Sequence, residues 1–159
     1  IDSRKASCER LSQKMAKIPL KLHDHINSAF PKNVVLVGTA LEDGFAQISP
    51  RGSVIVYDDE TLGFWDRGKG RTHDTVKNGS KITFYYRNTD LREDGTLPKG
   101  GIARFYGTAE IYHEGQVWDD VYDRMAAPER ERDPEKLGSA VLVKVERAED
   151  LSGSMLDLD

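Results

Sequence analysis

Residues 44–88 read GFAQISPRGSVIVYDDETLGFWDRGKGRTHDTVKNGSKITFYYRN. Within this stretch GFAQISP, SVIVYDD, TLGFWD and KITFYYRN are short runs rich in β-branched and aromatic residues, the mark of strands. The breaks SPRGS at 49–53 and DDET at 58–61 hold Gly, Asp and Pro. They are too short for a helical crossover between parallel strands, so antiparallel hairpins follow. One piece differs: RTHDTVKNG predicts a short helix, stopped by Asn78 and Gly79.

Working outward, VVLVGTA precedes this stretch through the turn LEDG at 41–44, and GIARFYGTAEIY and AVLVKVERA come after it. The fold class is therefore mainly β, a six- to seven-stranded antiparallel arrangement with peripheral helices. Short connections suggest a meander, and closure into a small barrel removes exposed strand edges. Before the strands, Leu11, Met15 and Ile18, then Leu20, Leu22 and Ile26, fall at helical spacings, with Pro19 as the break. Later, GQVWDDVYDRMAAP sets Val117, Val121 and Met125 on one helical stripe; Trp118 either joins it or edges a cleft. The charge-dense ERERDPEKLG reads as a solvated connector. RNTDLREDGTLPKGG at 87–101 is long for so small a domain, either a lid bringing Arg92 and Lys99 to a ligand or a surface excursion.

These limits give one domain over 1–159: a helical segment 1–30, a barrel over about 31–147 and a tail 148–159. At 159 residues, 38% hydrophobic and 31% charged, the chain is long and apolar enough to bury a core. Its longest apolar runs fall short of the roughly 20 residues a membrane helix needs. The first 20 residues carry scattered charges and no signal-like apolar core, so a cytoplasmic location is expected, and the chain begins on Ile1 as a trimmed start would. Cys8 is the one cysteine, which excludes an intramolecular disulfide. The net charge of −4 disfavours a general nucleic-acid binder. His23 and His25 point to different sides of a helix, and no metal-ligand cluster forms around them or His113.

Against that acidic background, FWDRGKGRTHD at 64–74 is a local concentration of positive charge. Arg67, Lys69 and Arg71 alternate with Gly68 and Gly70, between a strand and a helix. Glycines permit close backbone approach, arginines offer paired donors and a helix start offers oriented N–H groups, all suited to phosphate. A solvated basic turn is the other reading. Two phosphate motifs fail: GFWDRGKG ends on Gly70 where magnesium chemistry needs Ser or Thr, and GKGRTH has His73 where a dinucleotide fingerprint has glycine. His73 sits in the first turn of the helix, facing either ligand or solvent. Tyr85 and Tyr86 alternate faces, so one is buried and the other can line a groove with Gln47, Ser49 and Ser53.

The stretch 44–88, together with GIARFYGTAEIY, resembles the pyridoxamine 5′-phosphate oxidase-like family of FMN-binding split β-barrel proteins. The likeness covers about residues 30–147 and rests on the order of elements together with the basic loop. It implies a homodimer with two FMN sites in clefts between the subunits, FMN as cofactor, and a small-molecule substrate with NAD(P)H as a candidate electron donor. By position, Arg71 and Thr72 match the family's phosphate-binding pair, with Lys69 beside them; Thr72 stands where the better-known oxidases have lysine. Arg51, Gly52 and Ser53 fall on the strand that contacts phosphate and flavin ring, and Phe64, Trp65 and Asp66 match the strand end beside the ring. No match to the oxidases' pyridoxal-phosphate contacts is found, and no residue is nominated as an acid or base. The expected function is an FMN-binding oxidoreductase. The alternative is a non-enzymatic module binding flavin, deazaflavin or haem, and a barrel binding single-stranded nucleic acid through Trp65 is a third class.

Overall fold

A computed structural model of the protein describes residues 17–158. The helical piece expected around Leu11 and Met15, and Cys8, lie outside the described residues. Among the described residues seven strands form: β1 (Val35–Ala40), β2 (Ala46–Arg51), β3 (Ile55–Asp58), β4 (Thr61–Asp66), β5 (Lys81–Arg87), β6 (Ile102–Tyr112) and β7 (Ser139–Asp150). Each coincides with a run read from the sequence, and β7 continues to Asp150, past the expected barrel limit at 147. Among the described residues five helices accompany them: α1 (Leu20–Asn27), α2 (Gly70–Thr75), α3 (Thr89–Glu93), α4 (Gln116–Arg124) and α5 (Ala127–Arg130). No helix among the described residues is long and apolar enough to cross a membrane.

All pairings are antiparallel, and the sheet order is β2-β1-β5-β6-β7-β4-β3. The expected meander is therefore corrected. Hairpins join β1 to β2, β3 to β4, and β5 through β7, but β1 pairs with β5 and β4 with β7. β2, β4 and β5 are not hydrogen-bonded neighbours.

The outermost strands of that order, β2 and β3, are joined by only residues 52–54. Laid flat, seven strands at about 4.8 Å spacing would hold the outer two some 29 Å apart. Four Cα steps span at most about 14 Å. The sheet must therefore curl until its edges meet without pairing, giving a barrel split between β2 and β3.

Alternation then sorts the side chains. Val37, Phe84, Phe105, Val143 and Phe64 fill the interior, while Trp65, next to Phe64, points to a second cluster with Ile55, Val121, Met125 and Ala140 under α4. α4 is thus the cover for β3, β4 and β7, and Val121 and Met125 are its buried stripe, with Trp118 and Val117 packed partly beside them. α1 adds Leu22 and Ile26 to the interior, and its Asn27 accepts the amide of Val56 at 2.8 Å, covering the β3 edge.

Two loops are more ordered than their composition suggests. The 87–101 connection folds into α3, started by Asn88 accepting the Asp90 amide at 3.0 Å, and places Leu91 and Leu97 in the barrel core. The connector 129–138, read as solvated, buries Glu129 and Asp133. Asp133 is held by the Trp65 indole N–H at 2.8 Å and by the amides of Leu137 at 3.0 Å and Gly138 at 2.8 Å. The Trp65 partner is distant in sequence, which is why charge density alone misread the segment.

Candidate functional site

On β2 the alternation separates two faces. Ala46, Ile48 and Pro50 are exposed on one side, and Gln47, Ser49 and Arg51 are half-buried on the other. This polar row looks toward the glycine loop. Thr72, itself buried, donates its hydroxyl to Gln47 Oε1 at 3.1 Å. Gln47 Oε1 also accepts from Thr39 at 3.3 Å, and its Nε2 donates to Ser49 at 2.5 Å. Thr39 reaches Thr75 at 3.1 Å. Helix α2 is therefore fastened to the β1–β2 hairpin by side chains alone, with Gln47 as the junction.

The loop before α2 is shaped by Gly68 and Gly70 in the left-handed region, at φ +79° and +86°. Nothing lies within 4 Å of where a Cβ on either would sit, so the turn is open backbone. Asp66, buried at the end of β4, pins both sides of it: one oxygen accepts the Gly68 amide at 2.9 Å and the other meets His73 Nδ1 at 2.8 Å. Arg67, Lys69 and Arg71 are exposed, and among the described residues no ion pair engages any of them.

At the other end of the polar row, the Arg51 guanidinium lies 5.5 Å from the centre of the Phe64 ring. Its Nε is buried without a hydrogen-bond partner. Burial lowers the Arg51 pKa from its ordinary value, with Asp66 and Glu129 pulling the other way and Arg67 adding to the fall. Ser53 is fully committed to β4: its hydroxyl accepts the Trp65 amide at 3.0 Å and donates to the Trp65 carbonyl at 3.3 Å.

Phe64 and Trp65 are buried on opposite faces of β4. Phe64 meets Phe84 edge-on at 6.1 Å inside the barrel, and Trp65 packs on Tyr122 at 5.1 Å and Trp118 at 5.9 Å outside it. Of the strand end, Asp66 and the main chain face the loop. The residues nominated from sequence thus fall into two sets: Lys69, Arg71 and Thr72 near Gln47, and Arg51, Gly52 and Ser53 near Trp65, with Asp66 between. Sequence reading missed Glu129, Arg132 and Asp133, which arrive at this corner from the far connector; the Asp133-Pro134 pair in the charged run was the one local sign of a fixed turn.

Among the described residues, no helix packs on the outer face of β2, β1, β5 and β6. Leu36, Gly38, Ile48, Tyr85 and Tyr106 line a broad apolar hollow of about 790 Å³, over which Phe45 and Ile48 are 72% and 64% exposed. Tyr86 is buried in the barrel, as the alternation requires.

No curated protein matches the chain. Among solved structures, Group A Streptococcus HupZ is 26% identical, covering 88% of this chain and 99% of its own, with a TM-score of 0.63. An FMN-binding protein of Syntrophomonas wolfei is 16% identical over 98% of this chain and 97% of its own, with a TM-score of 0.60. A Lactobacillus delbrueckii protein described as a candidate pyridoxamine 5′-phosphate oxidase is 22% identical over 84% and 94%, with a TM-score of 0.59. The last two share the fold. The sequence pattern of pyridoxamine 5′-phosphate oxidase matches residues 22–151, which span all seven strands, and the chain belongs to that family.

Proposed function

We propose that the protein is an FMN-binding oxidoreductase acting as a homodimer on a small molecule. The observation that carries this reading is the cationic loop, Arg67 to Arg71, which forms no ion pair among the described residues and is docked through Thr72 and Gln47 onto the polar inner row of β2. A buried Arg51 nitrogen lacking a partner is a site that a polar ligand completes. The residues fit a phosphorylated ring: Arg71 and Lys69 would supply charge for the phosphate, open glycine backbone would admit it, and Ser49 and Arg51 would hold the ring. Membership of the family and the likeness to the Syntrophomonas FMN-binding protein support a flavin.

FMN would supply hydride acceptance and donation at its N5. The chain's own residues bind and orient it. Thr72, with its hydroxyl committed to Gln47, holds the loop in position, so Arg71 is the principal anchor. Asp66 fixes the loop's two sides through Gly68 and His73. The bare sheet face with Phe45 and Ile48 suits a second copy, because so large an exposed apolar patch is uncommon on a monomer. Closing that face would also exclude water from a cleft beside β2.

The protein purified after expression is expected to be yellow and to release FMN on denaturation. Reduction of the bound flavin by NADH or NADPH, then reoxidation by an acceptor, tests the oxidoreductase part. Release of a deazaflavin or haem instead would overturn the FMN assignment, and bound FMN that no donor reduces would leave a flavin-binding module.

A further inference from the structure

Residues 67–71 are all exposed, and of helix α2 behind them only Thr72 is buried. The segment therefore has almost no apolar packing before Val76, and polar side chains set its position. Thr72 and Thr75 tie it to Gln47 and Thr39, which carry no charge. The remaining tie is Asp66. One of its oxygens accepts the Gly68 amide at 2.9 Å and the other meets His73 Nδ1 at 2.8 Å, which closes the chain from 66 to 73 into a ring. The carboxylate is 6% exposed and the imidazole 47%. Around this pair, β4 continues into Arg67, β2 brings Arg51, and the segment itself carries Lys69, Arg71 and Asp74. Glu129 acts on Arg51 and Asp133 on Arg67, so those two cations have other acids nearby. Among the described residues His73 forms no ion pair other than that with Asp66. It is also the one group among these ties whose ordinary charge change falls between about pH 5 and 8.

We propose that Asp66 and His73 form a proton-operated latch on the glycine loop, so that the loop's affinity for an anionic group falls as pH rises through the imidazole range. It rests on the reading above, in which Arg71 anchors the cofactor phosphate, and adds the regulation of that site. A neutral imidazole holds the carboxylate through an ordinary N–H bond. An imidazolium holds it through a charge-assisted bond about twice as strong. Because Asp66 is buried, water competes little for that bond. With Nδ1 committed to Asp66, the proton that comes and goes is on Nε2, which has no hydrogen-bond partner among the described residues. The charged form of the latch is full below the ordinary imidazole range, about 6.5, and is lost as pH rises above it. A loop already held in one shape needs no ordering when the anion arrives, so a tighter latch raises affinity. The added positive charge acts in the same direction. His73 is a positioning residue in this scheme, acting on the ligand through Asp66 and the loop's main chain.

Calorimetric titration of the full chain with inorganic sulfate, a dianion whose charge is constant near neutrality, tests this at about pH 5.5 and about pH 8. Sulfate should bind about fivefold more tightly at the lower pH, the difference between a charge-assisted and a neutral hydrogen bond. His73→Gln keeps an amide donor for Asp66 but has no proton to lose, and should bind at the native chain's high-pH level at both values. Asp66→Asn leaves His73 free to titrate and should still lose most of the dependence, whereas a histidine acting only as a nearby charge would keep it. FMN affinity, followed by fluorescence, is compared between the native chain and His73→Gln at each pH, so that ionisation of the FMN phosphate cancels. The native chain should bind FMN about fivefold better at the lower pH and equally well at the higher. Equal sulfate affinity at the two pH values, or a dependence that survives in either variant, would overturn the latch. FMN binding whose native-to-variant ratio ignores pH would overturn it and leave the flavin reading standing. A pH-dependent sulfate response lost in both variants, in a chain that binds no FMN, would overturn the flavin reading and leave the latch standing. Binding of neither anion would overturn both. Thermal melts show whether each variant is folded, and if Asp66→Asn is not, His73→Gln and the FMN ratio decide the test.

Discussion

The corner under α4 and the corner under the glycine loop are built from the same residue types, aromatics, aspartates and basic side chains, yet only the first is closed on itself. Around Trp65 the amide and carbonyl go to Ser53, the indole N–H goes to Asp133, and the ring meets Trp118 and Tyr122. Lys136 lies 4.0 Å from the Trp118 ring and bonds Asp119 at 2.5 Å. Around the loop, Arg67, Lys69 and Arg71 form no ion pair among the described residues, and Arg51 keeps a buried nitrogen without a hydrogen-bond partner. Satisfied polar groups hold a fold together; unsatisfied ones are where a ligand can add free energy. The two corners should therefore respond oppositely to substitution.

The largest effect is expected at Trp65→Ala, which empties the second core and orphans Asp133. It should cost about 3–5 kcal/mol of stability, measured by denaturant unfolding. Next comes Asp133→Ala, which leaves an indole and two amides without their acceptor, at about 2–4 kcal/mol. Burial of Asp133 opposes its charge, but the Leu137 amide, the Trp65 indole and the Gly138 amide more than offset it, and its pKa lies below the ordinary value. Because the folded-state value is depressed, its contribution is present above the unfolded carboxyl range near 4 and is lost as pH falls through the folded value. The stability gap between the native chain and Asp133→Asn should shrink on acidification from pH 7 to pH 3. A gap that does not change would mean the carboxylate's charge is not what holds the connector.

In the open corner, Arg71→Ala should weaken FMN about thirtyfold by fluorescence titration and leave the melting temperature unchanged. Ile48→Asp should shift the species from dimer to monomer in sedimentation while the barrel stays folded, since the side chain is exposed in the single chain. The smallest expected effect is the most telling. Arg51→Gln should leave the ligand-free protein as stable as the native chain or slightly more so, because the burial cost of a guanidinium that forms no ion pair among the described residues is removed. A marked loss of stability would instead make Arg51 part of the closed architecture.

Much of this contrast was legible in the sequence, and the reasons differ by element. All seven strands announced themselves, because β-branched runs bounded by Gly, Asp and Pro are local signals. The alternation of Phe64 and Trp65 was equally local, and it predicts opposite faces. What stayed hidden was pairing across distance: nothing near Leu36 says that its partner is Tyr85, and nothing near Phe64 says that it pairs with Val141. The same holds for the site. The glycine loop stood out by composition, whereas Glu129, Arg132 and Asp133 looked like solvated charge because their partners lie on β2, β4 and the chain beyond them. Gln47 appeared as one polar residue on a strand, and only the docking of α2 made it the junction of Thr39, Ser49 and Thr72.

The sheet order has a consequence for the timing of folding. β7 lies between β6 and β4, so the hairpin formed by β3 and β4 has no partner strand on its β4 side until residues 139–144 exist to pair with it. A chain emerging from the ribosome can assemble β2-β1-β5-β6 in order, but it holds the β3–β4 hairpin and the unpaired flank of β6 in waiting. Such long-range closure slows folding and leaves strand edges open to wrong partners meanwhile. A C-terminal truncation ahead of Ser139 should therefore abolish the barrel as a whole rather than trim it, and the last strand made is the one that locks the first six.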